Sequence, residues 1–284
     1  MAIKSAVSLY SLQYNFLWKE MSLDEIIGYV KSLGAKGIEI LPDQMLKGTP
    51  NPSEAEIENF RELVKKHNVE LACDDVFLNT NLYTNRNLTK RESIDLIKQE
   101  MVLANKLGFK TIRLVSCVPD YVLEPCLELA EKLDVSLNIE IHAGLGFGEK
   151  KTDDFIKEML RLDSPYVGMV PDTSLFCRRA PQIVIDYCDK ALGGLNPEML
   201  KYVDEVFESG SDFFVLSNGK GLPIDPKLES MIKNGADALF AHNISGYENR
   251  PLSCMDGLEK YIKHVHFKLY QMLETGQECS IDYE

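Results

Sequence analysis

"SLGAKGIEI" at Ser32–Ile40 and "KLGFKTIRL" at Lys106–Leu114 share one grammar. Each leads from a helix end through a Leu-Gly-x-Lys step into an apolar run with a single charged residue inside it. Glycine at that step suits the left-handed conformation that closes many helices. A strand following a helix after so short a connection predicts repeated βα units and therefore a parallel sheet.

The same rhythm runs outward from these two stretches. Candidate strands lie at Ala6–Leu12, Gly37–Leu41, Val69–Cys73, Thr111–Val115, Ser136–Ile141, Val167–Val170 and Val265–Leu269. Between most of them stand helix patterns with start signals. "SLDE" (Ser22–Glu25), "SEAE" (Ser53–Glu56) and "TKRE" (Thr89–Glu92) are capping boxes of the S/T-x-x-E type. After the second, Ile57, Phe60, Leu63 and Val64 form one apolar stripe at helical spacing. Seven strands, none opening into a GxGxxG turn, predict a (β/α)8 TIM barrel rather than a doubly wound sheet. A closed barrel needs an eighth strand, yet the sequence stops at "SIDYE", about fifteen residues past the seventh. We therefore expect a barrel lacking its eighth strand. Residues 1–284 read as a single domain, with an elaborated helical insertion at about 197–256 suited to a lid over the barrel rim.

Composition narrows the classes. Lys and Arg number 31 against 44 Asp and Glu, so 31 − 44 gives −13. That balance argues against a nucleic-acid or anionic-membrane binder. No run of 18 apolar residues and no signal-peptide core occurs, which predicts a cytoplasmic protein. Seven scattered cysteines without a CxxC pair read as buried thiols rather than a disulfide or structural zinc framework.

Barrels of this kind place their chemistry at the C-terminal ends of the strands. "NIEIHAG" (Asn138–Gly144) ends the fifth strand, and alternation puts Asn138, Glu140 and His142 on one face. A carboxylate and an imidazole there are costly to bury without partners. "VGMVPDTS" ends the sixth strand and brings Asp172 to the same level. In "KHVHFKLY" of the seventh, His264, His266 and Lys268 share a face. Three neighbouring strands thus supply two carboxylates and an imidazole, a donor set that suits Mn²⁺, Mg²⁺ or Co²⁺. Each member also has a plainer reading. Asp172 before Thr173 and Ser174 fits a helix cap, and an HxH fits a solvated strand end. Arg178 and Arg179 suit a polyhydroxylated ligand or a solvated helix start equally. Arg113, between Ile112 and Leu114, is expected to face inward, where it could bridge carboxylates of a metal shell, with a surface-facing position as the plainer reading. "GLGFGEKKT" (Gly144–Thr152) matches neither phosphate-loop spacing and reads as a glycine-rich rim loop.

Glu140, Asp172 and the "HVH" resemble the xylose isomerase-like superfamily of sugar isomerases and epimerases. "GIEILPDQM", "LTKRESIDLI", "NIEIHAG", "VPDTSLFCRRAP", "HVHFKLYQM" and "SIDYE", in that order, resemble the α subunit of bacterial C-glycoside deglycosidases over nearly the whole chain. This resemblance implies one divalent metal, Mn²⁺ by preference, held by Glu140, Asp172, His266 and a glutamate of the eighth strand. That last ligand would fall beyond Glu284. It implies a lyase in which His142 removes the C2 proton of a 3-oxo-C-glycoside so that the aglycone leaves. His264, Lys268, Arg178, Arg179 and Arg113 would then contact the substrate. It also implies a small β subunit and a higher oligomer. A sugar or sugar-phosphate isomerase or epimerase would use the same metal-assisted proton abstraction, but the sequence shows no second base. A non-catalytic subunit that uses an incomplete barrel for assembly is the reading from a different class.

Overall fold

In the computed structural model, which describes residues 4–81, 83–115, 118–213 and 225–268, both Leu-Gly-x-Lys steps are helix exits. Gly34 has φ +94° and Gly108 φ +105°, and Gly108 N donates to Ala104 O. Two further helices leave through Asn68 (φ 48°) and Asp134 (φ 54°). These residue types tolerate the left-handed region because their short polar side chains bond locally. The element order is β1 (Ala6–Ser8), α1 (Leu23–Ser32), β2 (Gly37–Ile40), α2 (Glu54–His67), β3 (Glu70–Val76), α3 (Lys90–Leu107), β4 (Thr111–Leu114), α4 (Leu123–Leu133), β5 (Ser136–Ile141), α5 (Lys150–Leu162) and β6 (Val167–Pro171). After these come α6 (Gln182–Leu192), α7 (Pro197–Glu208) and α8 (Gly235–Ile244).

The six strands form one sheet in the order β1-β2-β3-β4-β5-β6. Parallel pairing of each strand with the next from β1 through β5 is what short βα connections require. Full capping boxes start α1 at Ser22–Glu25 and α3 at Thr89–Glu92. At α2 only half of the expected box forms: Ser53 Oγ accepts from Glu56 N, and the reciprocal side-chain bond is absent. The chain divides into two compact units. The first comprises Met1–Glu140, Asp154–Val170 and Tyr261–His264; the second comprises Ile141–Asp153, Pro171–Lys260 and Val265–Glu284.

In the first unit, Ile38, Ile40, Ile112 and Leu114 on the helix-facing sides of the strands are buried, as are Ile26 and Ile27 of α1 and Phe60 of α2. Phe60 and Phe109 stack with centroids 6.1 Å apart. One acid interrupts this layer. Asp74 of β3 pairs in register with Ile40 and Ile112, is wholly buried, and has no hydrogen-bond partner for either carboxyl oxygen. Burial, reinforced by Glu100, Asp75, Asp43 and Glu39, pushes its carboxyl well above the usual range. Glu100 of α3 is likewise pushed up to about 7, by burial first and by Asp43 second.

The second unit packs α6, α7 and α8 around Cys188, Met199, Val203, Phe207, Phe213, Leu228, Phe240 and Ile244. Among the described residues, 197–256 carries helices and turns and no strand. Part of "SNGKGLPIDP" and all of "SIDYE" lie outside the described residues.

Three strand expectations need correction, and one is the third strand, which runs Glu70–Val76 rather than Val69–Cys73 and so takes in Asp74 and Asp75. The first strand ends at Ser8, where the chain turns into a 3₁₀ segment, Leu9–Leu12. Among the described residues, the expected seventh strand is present only as isolated parallel bridges, Met169 with Ile262 in the first unit and Asp172 with His266 in the second. Its alternate apolar residues Val265 and Phe267 are 46% and 61% exposed, so little burial holds the segment to a continuous ladder. Leu269 lies outside the described residues.

Candidate active site

Register sets the site in the first unit. A bulge at Ile38–Glu39 pairs Glu39 with Cys73, while Asp75 pairs with Arg113 and Arg113 with Asn138. With side chains alternating along each strand, Glu39, Cys73, Asp75, Arg113, Asn138 and Glu140 share the face opposite the helices. Arg113 Nε donates to Asp75 Oδ1 at 2.6 Å, and Arg113 Nη1 donates to Glu140 Oε1 at 2.8 Å. Its Nη2 lies 3.7 Å from Glu39 Oε1. Exposures of 1% for Glu39, 2% for Asp75, 6% for Glu140 and 9% for Arg113 place all four inside. Burial disfavours the guanidinium charge, but the three carboxylates outweigh it and keep Arg113 protonated. Burial, and then Glu39, push the Asp75 carboxyl well up against the opposing pull of Arg113. His264 Nε2 stands 3.3 Å from Glu39 Oε2.

One arginine thus faces three buried carboxylates, and the surplus of negative charge invites a further cation or a retained proton. That donor set fits a hard divalent metal at Glu140. Glu39, Cys73 and Asp75 also offer ligand atoms within 4.8 Å of one another. There Arg113 already neutralises Asp75, and burial holds the Cys73 thiol well above its usual range.

In the second unit, Asp172 is wholly buried and uses its oxygens differently. Oδ1 accepts from Ser174 N at 2.8 Å and caps the 3₁₀ turn Thr173–Leu175. Oδ2 lies 2.5 Å from Lys268 Nζ and 3.8 Å from His266 Nδ1. Oδ1 thus serves the expected cap, while Oδ2 faces Lys268 and His266. The backbone locks this pairing: Thr173 N donates to His266 O at 2.9 Å, and Lys268 N donates to Thr173 Oγ1 at 2.8 Å.

His142 lies at the start of the loop after β5, with Nδ1 2.6 Å from Ala143 O. A carbonyl only accepts, so Nδ1 carries the hydrogen and the neutral ring keeps its basic lone pair at Nε2. Ala143 N donates to Ser174 Oγ at 3.0 Å, and Leu145 N closes a turn onto His142 O at 2.9 Å.

Of the residues singled out in the sequence, the first unit brings together Arg113 and Glu140, with His264 on Glu39 beside them. The second brings together Asp172, His266 and Lys268. Arg178 and Arg179 are exposed, and within the second unit neither touches Asp172, His266 or Lys268. Sequence reading missed Glu39 and Asp75. Their signal was present in "GIEI", a lone acid inside an apolar strand like the one in "NIEI", and in "CDDV", where two adjacent acids take opposite faces of the strand.

Comparison with known proteins agrees with this picture at the level of family. The xylose isomerase-like TIM barrel family matches residues 27–194. A 3'-dehydrocarminate deglycosidase alpha subunit from Microbacterium sp is 26% identical over 98% of this chain and 81% of that protein. A C-glycoside deglycosidase alpha subunit from Arthrobacter globiformis is 26% identical over 97% of this chain and 77% of that protein. The solved structure of a xylose isomerase domain protein from Planctomyces limnophilus covers 93% of this chain and 89% of its own at 14% identity and TM-score 0.46, a likeness that adds nothing to the family match.

Proposed function

We propose, on the premise that this chain belongs to the xylose isomerase-like TIM barrel family, that it is the catalytic α subunit of a metal-dependent carbon–carbon lyase acting on 3-oxo-C-glycosides. The observation that carries the metal is the charge balance around Arg113, where three buried carboxylates share one guanidinium. The substrate class and a partner subunit rest on the names of the relatives, both of them alpha subunits.

Glu140 of β5, Asp172 directly after the neighbouring β6, and His266, which pairs with Asp172, are the ligands in this reading. A bound Mn²⁺, Mg²⁺ or Co²⁺ would polarise the C3 carbonyl and stabilise charge that develops on its oxygen. His142 takes the C2 proton at Nε2, its Nδ1–H held on Ala143 O. The electron pair then closes the C1–C2 double bond as the C1–aglycone bond breaks, and the departing ring takes up a proton. Lys268 sits on Asp172 Oδ2 beside the ligands and meets the sugar oxygens, as do His264 and Arg113. Arg178 and Arg179 serve the outer part of a glycoside.

One observation favours a second reading. The Glu39–His264 pair in the first unit supplies the second acid/base group that a sugar epimerase needs and that the sequence had not shown. Proton NMR in D₂O with Mn²⁺ and a 3-oxo-C-glucoside separates the two. Release of aglycone is expected, whereas deuterium entering an intact or epimerised sugar would favour the epimerase. Calorimetric titration with Mn²⁺ tests the site itself. Stoichiometric binding that Glu140→Gln and His266→Ala both weaken is expected, and binding that neither affects would remove these ligands.

A further inference from the structure

The loop that carries His142 closes around a buried carboxylate from a part of the sequence about a hundred residues away. Gly144 N and Gly146 N each donate to Glu248 Oε1 at 3.1 Å. Glu248 is 0% exposed, and its Oε2 accepts from Arg250 Nε at 2.7 Å. Burial raises its carboxyl, and Arg250 opposes that rise. Two backbone donors and a guanidinium are what a carboxylate needs to remain inside at modest cost.

The carboxylate is itself fixed by backbone. Cys177 N donates to Glu248 O at 2.9 Å, and Arg250 N donates to Leu175 O at 2.8 Å. An antiparallel bridge joins Phe176 to Asn249. Residues 248–250 thus lie against the stretch that follows Asp172. The fit on the other side is close, because a Cβ at position 146 would collide with both carboxylate oxygens of Glu248. Only glycine lets the loop settle on the carboxylate. Between this anchor and His142 stands one turn, closed by Leu145 N on His142 O.

We propose that Glu248, clamped by Arg250, is a positioning residue for His142. It fixes the turn 142–146 so that Ala143 O holds the Nδ1–H of the imidazole and Nε2 is presented as the base. This assigns a task to the long insertion, which delivers the carboxylate. The inference rests on the reading of His142 as the base.

The test uses Glu248→Ala, Gly146→Ala and the double variant in the full chain, with rates expressed per folded molecule. Two readouts are taken: kcat and KM for C2 proton loss from a 3-oxo-C-glucoside with Mn²⁺, and the ¹⁵N–¹H signature of the His142 ring tautomer. Each single substitution is expected to lower kcat roughly ten- to a hundredfold with KM within about threefold, as a misplaced reacting group does. The Nδ1–H tautomer is expected to give way to a mixture. In the Glu248→Ala background the added methyl at 146 has room, so the two effects are expected to be far from multiplicative. Glu248→Gln, which keeps an oxygen for the two glycine N–H groups, is expected to restore part of the loss. An unchanged tautomer in Glu248→Ala, or a fall in melting temperature with kcat per folded molecule intact, would overturn the proposal. If the wild-type chain shows no C2 chemistry, the lyase reading fails, while the tautomer spectra still decide whether Glu248 positions the ring.

Discussion

Glu100→Gln offers a direct measure of how the helix-facing side of β3 treats charge. Glu100 lies on α3 and its carboxyl is pushed up to about 7 from an ordinary 4.5. At about 1.4 kcal/mol per pH unit this difference amounts to roughly 3 kcal/mol. The folded protein holds that proton more tightly than the unfolded chain does. The resulting stability is fully present below about pH 4.5 and is lost as pH rises through about 7. Glutamine is nearly isosteric, has similar helix propensity and carries no charge to bury. Glu100→Gln is therefore expected to be about 2–3 kcal/mol more stable than wild type at pH 8, and within about 0.5 kcal/mol of it at pH 4. Urea unfolding followed by far-ultraviolet circular dichroism is the suitable assay, because the single tryptophan, Trp18, is 68% exposed and would report poorly on the core. A gain of the same size at both pH values would refute the reasoning, since packing and not ionisation would then be its source. No gain at pH 8 would show that the carboxyl ionises without penalty.

Arg113→Met should lower stability by about 3–5 kcal/mol, because it leaves three carboxylates buried without their partner; thermal melts at pH 7.5 check this, and a change under about 1 kcal/mol would count against it. Thr89→Ala should cost about 1 kcal/mol through loss of the α3 capping box, measured by the same unfolding curves. Phe60→Ala should cost about 3–5 kcal/mol, as Phe60 is wholly buried and stacked on Phe109. His142→Ala should reduce aglycone release at least about a hundredfold while leaving Mn²⁺ affinity within about threefold; equal losses in both would mean that His142 belongs to the metal site instead.

The βα order could be read from the sequence because local signals and packing agree in it. Gly34 and Gly108 announce their helix exits, and Ser22 and Thr89 announce starts. Strand β5 matches its expected bounds because both its faces are buried, with Leu137, Ile139 and Ile141 alternating strictly with Ser136, Asn138 and Glu140. Asn68 and Asp134 perform the same exit as the two glycines without the glycine signal, so the repeat looked less regular than it is. The seventh strand showed good alternation, but alternation cannot say whether the outward apolar face finds anything to cover it. Candidate residues on strand ends were visible because a lone acid or imidazole in an apolar run is conspicuous. Their partners were not: Arg113 draws on Asp75 and Glu39 from strands far apart in sequence, and Glu248 reaches Gly144 across about a hundred positions. Pairings of that kind exist only once the register is set.

The four-residue knot of Glu39, Asp75, Arg113 and Glu140 also constrains how this chain can diverge. The arginine cannot be exchanged alone without stranding buried acids, whereas loss of any one acid still leaves the arginine partnered, and the four belong to four successive strands. A lineage that loses the arginine must shed or neutralise acids on its neighbours at nearly the same time. Replacement of the arginine is therefore a coupled change, while an acid of the quartet can be lost ahead of it.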